Sequence, residues 1–161
     1  MPALNMARAA DICPEVPLTP KPNTEIVLVA LGWFWHPQPL FQGMWGVKRC
    51  LVGYTGGIEE QPTYQNIGDY TEALFIEYDK DSTDLGTILR AWMSQASPYP
   101  QKCQYRTALW YLNEEQEYQM KSFVSNMAGG KYVDVEAATQ FFMAEEYHQN
   151  FLAKQNAGIF Y

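Results

Sequence analysis

Ile26-Val27-Leu28-Val29-Ala30-Leu31-Gly32-Trp33-Phe34-Trp35-His36 is the stretch on which the reading of this chain turns. A continuous apolar, β-prone run such as Ile26 to Leu31 is the mark of a strand buried on both faces. The run ends at a glycine and meets three consecutive aromatics, and large flat side chains at a strand-to-helix junction line a pocket or plug one. Val47 to Tyr54 reads as a second strand and closes on a glycine turn, Thr55-Gly56-Gly57.

Working outward, Pro37 and Pro39 suit only the first turn of a helix, which is expected to start near His36 and continue through Leu40-Phe41. Gly43 and Gly46 end it early. Ile58 to Asp69 is irregular around Pro62, and Glu72 to Tyr78 alternates as a third strand. Leu85, Ile88, Leu89 and Trp92 repeat at helical spacing within Leu85 to Ala96. Ser97-Pro98-Tyr99-Pro100 breaks that helix. Thr107 to Leu112 is a fourth strand. Asn113 then stands as an N-cap three residues before Gln116, for a helix running to about Met127. Gly129-Gly130 ends it, Tyr132 to Val135 reads as a short strand, and Ala144 to Lys154 as a final helical turn or two. Interleaved helices and strands of this kind build one layered α/β domain. It is expected over residues 25–161. Residues 1–24 contain Pro2, Pro14, Pro17, Pro20 and Pro22 and read as an extended arm. Such an arm must lie on something, either its own domain or a partner.

Composition narrows the function. A net charge of −7 with no Lys/Arg cluster offers nucleic acid no electrostatic footprint. No apolar stretch approaches the roughly 18–20 residues that span a bilayer. The N-terminus shows neither a secretory nor a transit pattern, so an intracellular protein of the cytosol or an organelle lumen is expected. Cys13, Cys50 and Cys103 are odd in number and far apart, which fits neither a disulfide framework nor a zinc site. His36 and His148 have no Cys or His at ligand spacing, so no metal is expected.

Six separated segments, in order, resemble the A-type peptide methionine sulfoxide reductases. Gly32-Trp33-Phe34-Trp35-His36 resembles the family's Gly-Cys-Phe-Trp-Gly, and Gly53-Tyr54-Thr55-Gly56-Gly57 is its Gly-Tyr-Thr-Gly-Gly unchanged. Pro62-Thr63-Tyr64 is similar to its Pro-Thr-Tyr, and Tyr70-Thr71-Glu72-Ala73-Leu74 to its His-Ala-Glu-Ala-Val. Gln104-Tyr105-Arg106-Thr107-Ala108 resembles Gln-Tyr-Arg-Ser-Ala. Phe141 to Gln149 is close to Phe-Tyr-Pro-Ala-Glu-Asp-Tyr-His-Gln. The resemblance runs from about Thr24 to Lys154 and implies an α+β two-layer sandwich of the ferredoxin-like kind.

It also implies a reaction. The family removes the oxygen of methionine sulfoxide. A low-pKa thiolate attacks the sulfur, a carboxylic acid protonates the departing oxygen, and hydroxyls hold it. Aromatic rings receive the methyl group. By position, Glu72 falls at the proton donor, Tyr64 and Tyr105 at the two hydroxyls, and Phe34 and Trp35 at the methyl pocket. Trp33 falls at the nucleophile, and an indole cannot attack sulfur. The pocket aspartate is also absent, with Pro100 in its place. The loop between Tyr64 and Glu72 is several residues shorter, and no cysteine follows Cys103 to act as a tail thiol.

The reading that follows is a catalytically inactive relative serving as a structural or interaction subunit of a larger assembly, with the arm 1–24 as a contact to a protein partner. The main alternative is an active reductase with a relocated thiol, Cys103, turned over by thioredoxin or another dithiol. The remaining one is a binding module for methionine or its sulfoxide on peptides. Several residues carry plainer readings. Trp33 either plugs the vacated pocket or reshapes it, Glu72 at a strand start either faces solvent or is buried, and Tyr64, Tyr105 and Tyr147 are also good packing residues. Cys50 reads as core, Cys13 as an incidental thiol, and His148 as a structural tie for the C-terminal segment.

Overall fold

The computed structural model describes residues 12–32, 37–58, 61–63, 66–96, 98 and 103–145. Six strands, β1 (Thr24–Leu31), β2 (Val47–Thr55), β3 (Thr71–Asp79), β4 (Thr107–Tyr111), β5 (Asp134–Ala137) and β6 (Phe141–Met143), form one sheet in the order β5-β4-β1-β3-β2-β6. Three helices intervene: α1 (Gln38–Gln42), α2 (Leu85–Gln95) and α3 (Glu114–Ser125). The central β4-β1-β3-β2 order is antiparallel throughout, with α1 between β1 and β2 and α2 between β3 and β4. That is the ferredoxin-like plan of an α+β two-layer sandwich. β5 extends it in parallel beyond β4, and β6 extends it antiparallel beyond β2.

The central strands are buried on both faces, which is why β1 reads as an unbroken apolar run. On one face Val27, Val29, Val52, Leu74, Ile76 and Leu109 pack against Phe41, Ile88, Leu89, Trp92 and Met120 from the helices. On the other, Ile26, Leu28, Ala30, Ala73, Phe75 and Trp110 meet Phe141 and Val16. Two polar side chains bolt the helices to β1. Trp92 Nε1 donates to the Ala30 carbonyl at 3.0 Å, and Gln116 Nε2 to the Ile26 carbonyl at 3.0 Å. Helices α2 and α3 each start at a side-chain cap, Asp84 accepting from Thr87 N and Asn113 from Gln116 N.

Residues 12–24 lie on their own domain. Cys13, expected to be incidental, is fully buried, and Cys50 is core as expected. The short strand expected over Tyr132 to Val135 starts later, at Asp134. Gly129, at φ 75°, turns the chain after α3, and Gly130–Tyr132 makes a 3-10 turn first. β6 has no counterpart in the sequence reading. The start of the helix expected near His36, the aromatics Trp33, Phe34 and Trp35, Tyr64, Pro100, Tyr147, His148 and the rest of the helix expected from Ala144 lie outside the described residues. No helix among the described residues is long and apolar enough to cross a membrane.

Candidate functional site

The antiparallel register gathers distant motifs at one end of the sheet. Val29 pairs with Leu74, Leu31 with Thr107, and Thr55 with Thr71, so the C-terminal ends of β1 and β2 meet the starts of β3 and β4. Gly32, the Thr55-Gly56-Gly57 turn, Thr71-Glu72 and Gln104-Tyr105-Arg106 therefore share one rim. Gly32 leaves β1 at φ 105°, a conformation that side chains rarely adopt.

At this rim Glu72 is buried, 5% exposed, which resolves the choice between core and solvent. It is opposite Tyr54 in the β2–β3 ladder. Its carboxylate accepts a 2.9 Å hydrogen bond from Gln104 Nε2. Tyr105 also donates its phenol to Glu72. Burial, the Glu72 charge and that hydrogen bond all raise the Tyr105 pKa, because each favours the neutral phenol. Two positions far apart in sequence thus form a direct carboxylate–phenol pair. A 3-10 turn, Cys103–Tyr105, delivers both Gln104 and Tyr105 to the carboxylate.

The next residue, Arg106, faces the other way and ties three strands together. Its Nε donates to Thr71 Oγ1 at 2.7 Å, and Nη1 pairs with Asp134 at 2.9 Å and with Glu136 at 3.1 Å. Its guanidinium lies 5.3 Å from the Trp110 ring centroid, and Trp110 Nε1 itself donates to Glu136. Gly56 closes against this cluster. At φ 80°, a Cβ there would sit 2.5 Å from Arg106 Nη2 and 3.0 Å from Trp110 Cζ2. Gln104 and Arg106 were not singled out as site residues by the sequence, although both belong to the quoted Gln-Tyr-Arg segment.

Nucleophiles are less well placed. Burial pushes the Cys50 thiol up to about 12. Cys13 is likewise raised to about 12, by burial first and then by the Glu145 charge. Neither is a thiolate near neutral pH. Cys103 is two residues before Tyr105 in the 3-10 turn, and its side chain lies outside what is described. Trp33, Phe34, Trp35 and Tyr64 do as well, so the gathered set consists of Glu72, Gln104 and Tyr105. No cluster of three metal-ligating side chains occurs among the described residues. A groove of about 430 Å³ between α2 and α3, lined by Leu89, Met93, Tyr118, Phe123 and Met127 among others, contains none of the rim residues.

Fold and motifs together define a class, a peptide methionine sulfoxide reductase scaffold. The model of that family, "Peptide methionine sulfoxide reductase", matches residues 25–161, and the chain belongs to the family. It is 36% identical over 143 residues to peptide methionine sulfoxide reductase MsrA of Mycobacterium leprae, covering 81% of this chain and 81% of that protein. Methionine sulfoxide reductase A of Corynebacterium diphtheriae superposes with a TM-score of 0.76 at 23% identity, covering 93% of this chain and 91% of the other. Mxr1 from Saccharomyces cerevisiae, solved in complex with Trx2, has a TM-score of 0.57 at 16% identity, covering 81% and 88%. These two structures are similar to this chain in fold.

Proposed function

We propose that this chain is a non-catalytic member of the reductase family, acting as a structural or interaction subunit of a larger protein assembly. What carries this reading is that Trp33 falls at the nucleophile's position in the matched sequence motif, while the chain keeps the Glu72–Tyr105 carboxylate–phenol pair. Reduction of a sulfoxide needs a sulfur nucleophile that takes over the oxygen as a sulfenic acid. Glu72 and Tyr105 are suited to hydrogen-bond that oxygen, with Tyr64 as the second hydroxyl and Phe34 and Trp35 as walls for the methyl group. None of them can accept it. The two thiols whose side chains are described, Cys13 and Cys50, are buried and protonated. A pocket that keeps its polar groups without its reagent also suits a binding module for methionine sulfoxide peptides.

A second reading has one observation in its favour. Cys103 shares the 3-10 turn that brings Gln104 and Tyr105 to Glu72. An active reductase built on it would need a dithiol reductant such as thioredoxin. Incubating the purified chain with a methionine-S-sulfoxide peptide and dithiothreitol distinguishes the readings. The non-catalytic reading expects no methionine above the protein-free control. Turnover that disappears in Cys103→Ser overturns it.

A further inference from the structure

The fold treats the methionines among the described residues unequally. Met120 on α3 is fully buried in the helix-side core. Met44, Met127 and Met143 are half-buried against one core or the other. Met93 on α2 is 41% exposed, more open than any of these. The helical repeat explains it. Leu85, Ile88, Leu89 and Trp92 take the buried stripe of α2, and Met93, one turn past Leu89, falls at the border of that stripe.

Met93 lines the groove of about 430 Å³ between α2 and α3, with Leu89, Phe123 and Met127 as apolar members of the same lining. Tyr118 and Ser122 bring hydroxyl groups to it. A thioether is a weak hydrogen-bond acceptor and leaves such donors to water, whereas a sulfoxide is polar and its oxygen accepts well. The groove therefore has donors for an oxidised side chain at its mouth, above a core that Met93 does not fill.

We propose that Met93 is an oxidative modification site, a thioether that a hydroperoxide converts to the sulfoxide in the folded protein, turning the α2–α3 groove from apolar to polar. In that step a sulfur lone pair attacks one peroxide oxygen and the O–O bond breaks. The S–O bond forms, and the second oxygen leaves with the protons as water, so sulfur is oxidised and the peroxide reduced. None of the rim residues lines this groove, so the step does not depend on whether the chain is catalytic.

A time course of the full-length chain with hydrogen peroxide and no reductant tests it, with the sulfoxide at each methionine read by peptide-mapping mass spectrometry. Met93 is expected to oxidise roughly fivefold or more faster than Met44, Met127 and Met143, with Met120 slowest of all. Backbone amide NMR of the chain oxidised at Met93 then locates the effect. Shifts are expected at Leu89, Tyr118, Ser122 and Phe123, with β1 and β3 unmoved. Oxidation of Met93 no faster than that of Met127 overturns the proposal. Shifts spread through β1 and β3 also overturn it, since the sulfoxide would then disrupt the core rather than the groove.

Discussion

Glu72 and Tyr105 are the residues whose chemistry is most exposed to test. A raised phenol pKa means that the folded protein holds this proton more tightly than the unfolded chain does. The contribution is fully present below the unfolded tyrosine pKa and is lost as pH rises through the folded one. Glu72→Gln removes both the charge and the anionic acceptor, so the Tyr105 titration should move down toward that of an ordinary tyrosine. Ring-labelled NMR of wild type and variant reads this, and an unmoved Tyr105 resonance midpoint contradicts the pair. The sequence disclosed Glu72 and Tyr105 only through matched motifs. Nothing in their local pattern shows that a 3-10 turn brings Gln104 to the same carboxylate. The burial of Cys13 was not legible because the packing that covers it comes from segments about 50 and 130 residues away, and no periodicity in the arm records that.

At the scale of elements, the Thr55-Gly56-Gly57 turn and the Arg106 cluster explain each other. Gly56→Ala forces a Cβ against the guanidinium and the Trp110 indole at a φ of 80°. A loss of roughly 1–3 kcal/mol in unfolding free energy is expected, read from urea denaturation midpoints. Wild-type stability in that variant would mean that the close approach is not maintained in solution. The same turn was legible in the sequence as a strand terminator, as were the four central strands, β1 most plainly because burial on two faces leaves a continuous apolar run. β6 was not. Phe141–Met143 has only three residues, each set by a neighbour, since Phe142 packs edge-on against Tyr70 at 5.5 Å and Phe141 against Phe75 at 5.4 Å. A strand that short carries no alternation to read.

Across the whole molecule, one buried carboxylate on β3, Glu77, ties down Lys21 and Thr24, where the N-terminal segment enters β1. Burial alone would raise the Glu77 pKa. The hydrogen bonds from Lys21 N and Thr24 and the charges of Arg49 and Lys21 outweigh it and hold the carboxyl below the usual value of 4.5. Its stabilisation is therefore present above the unfolded pKa and is lost as pH falls through the folded one. Glu77→Gln should destabilise the chain by roughly 1–3 kcal/mol at neutral pH. The gap should narrow as pH drops below about 4.5, and denaturant titrations at several pH values measure it. A gap that is constant with pH would show that the Glu77 charge does no linking.

The non-catalytic reading, in which the resemblance puts Trp33 at the nucleophile's position, makes one central claim, that no sulfur in this chain takes oxygen from a sulfoxide. A single-turnover experiment without reductant asks this directly, since a working cysteine would be left as a sulfenic acid. The chain is mixed with excess methionine-S-sulfoxide peptide and dimedone, and both the methionine formed and the labelled cysteines are measured by mass spectrometry. The non-catalytic reading predicts no methionine above the protein-free control and no dimedone adduct on Cys13, Cys50 or Cys103. About one methionine per chain, with a matching adduct on Cys103, would contradict it.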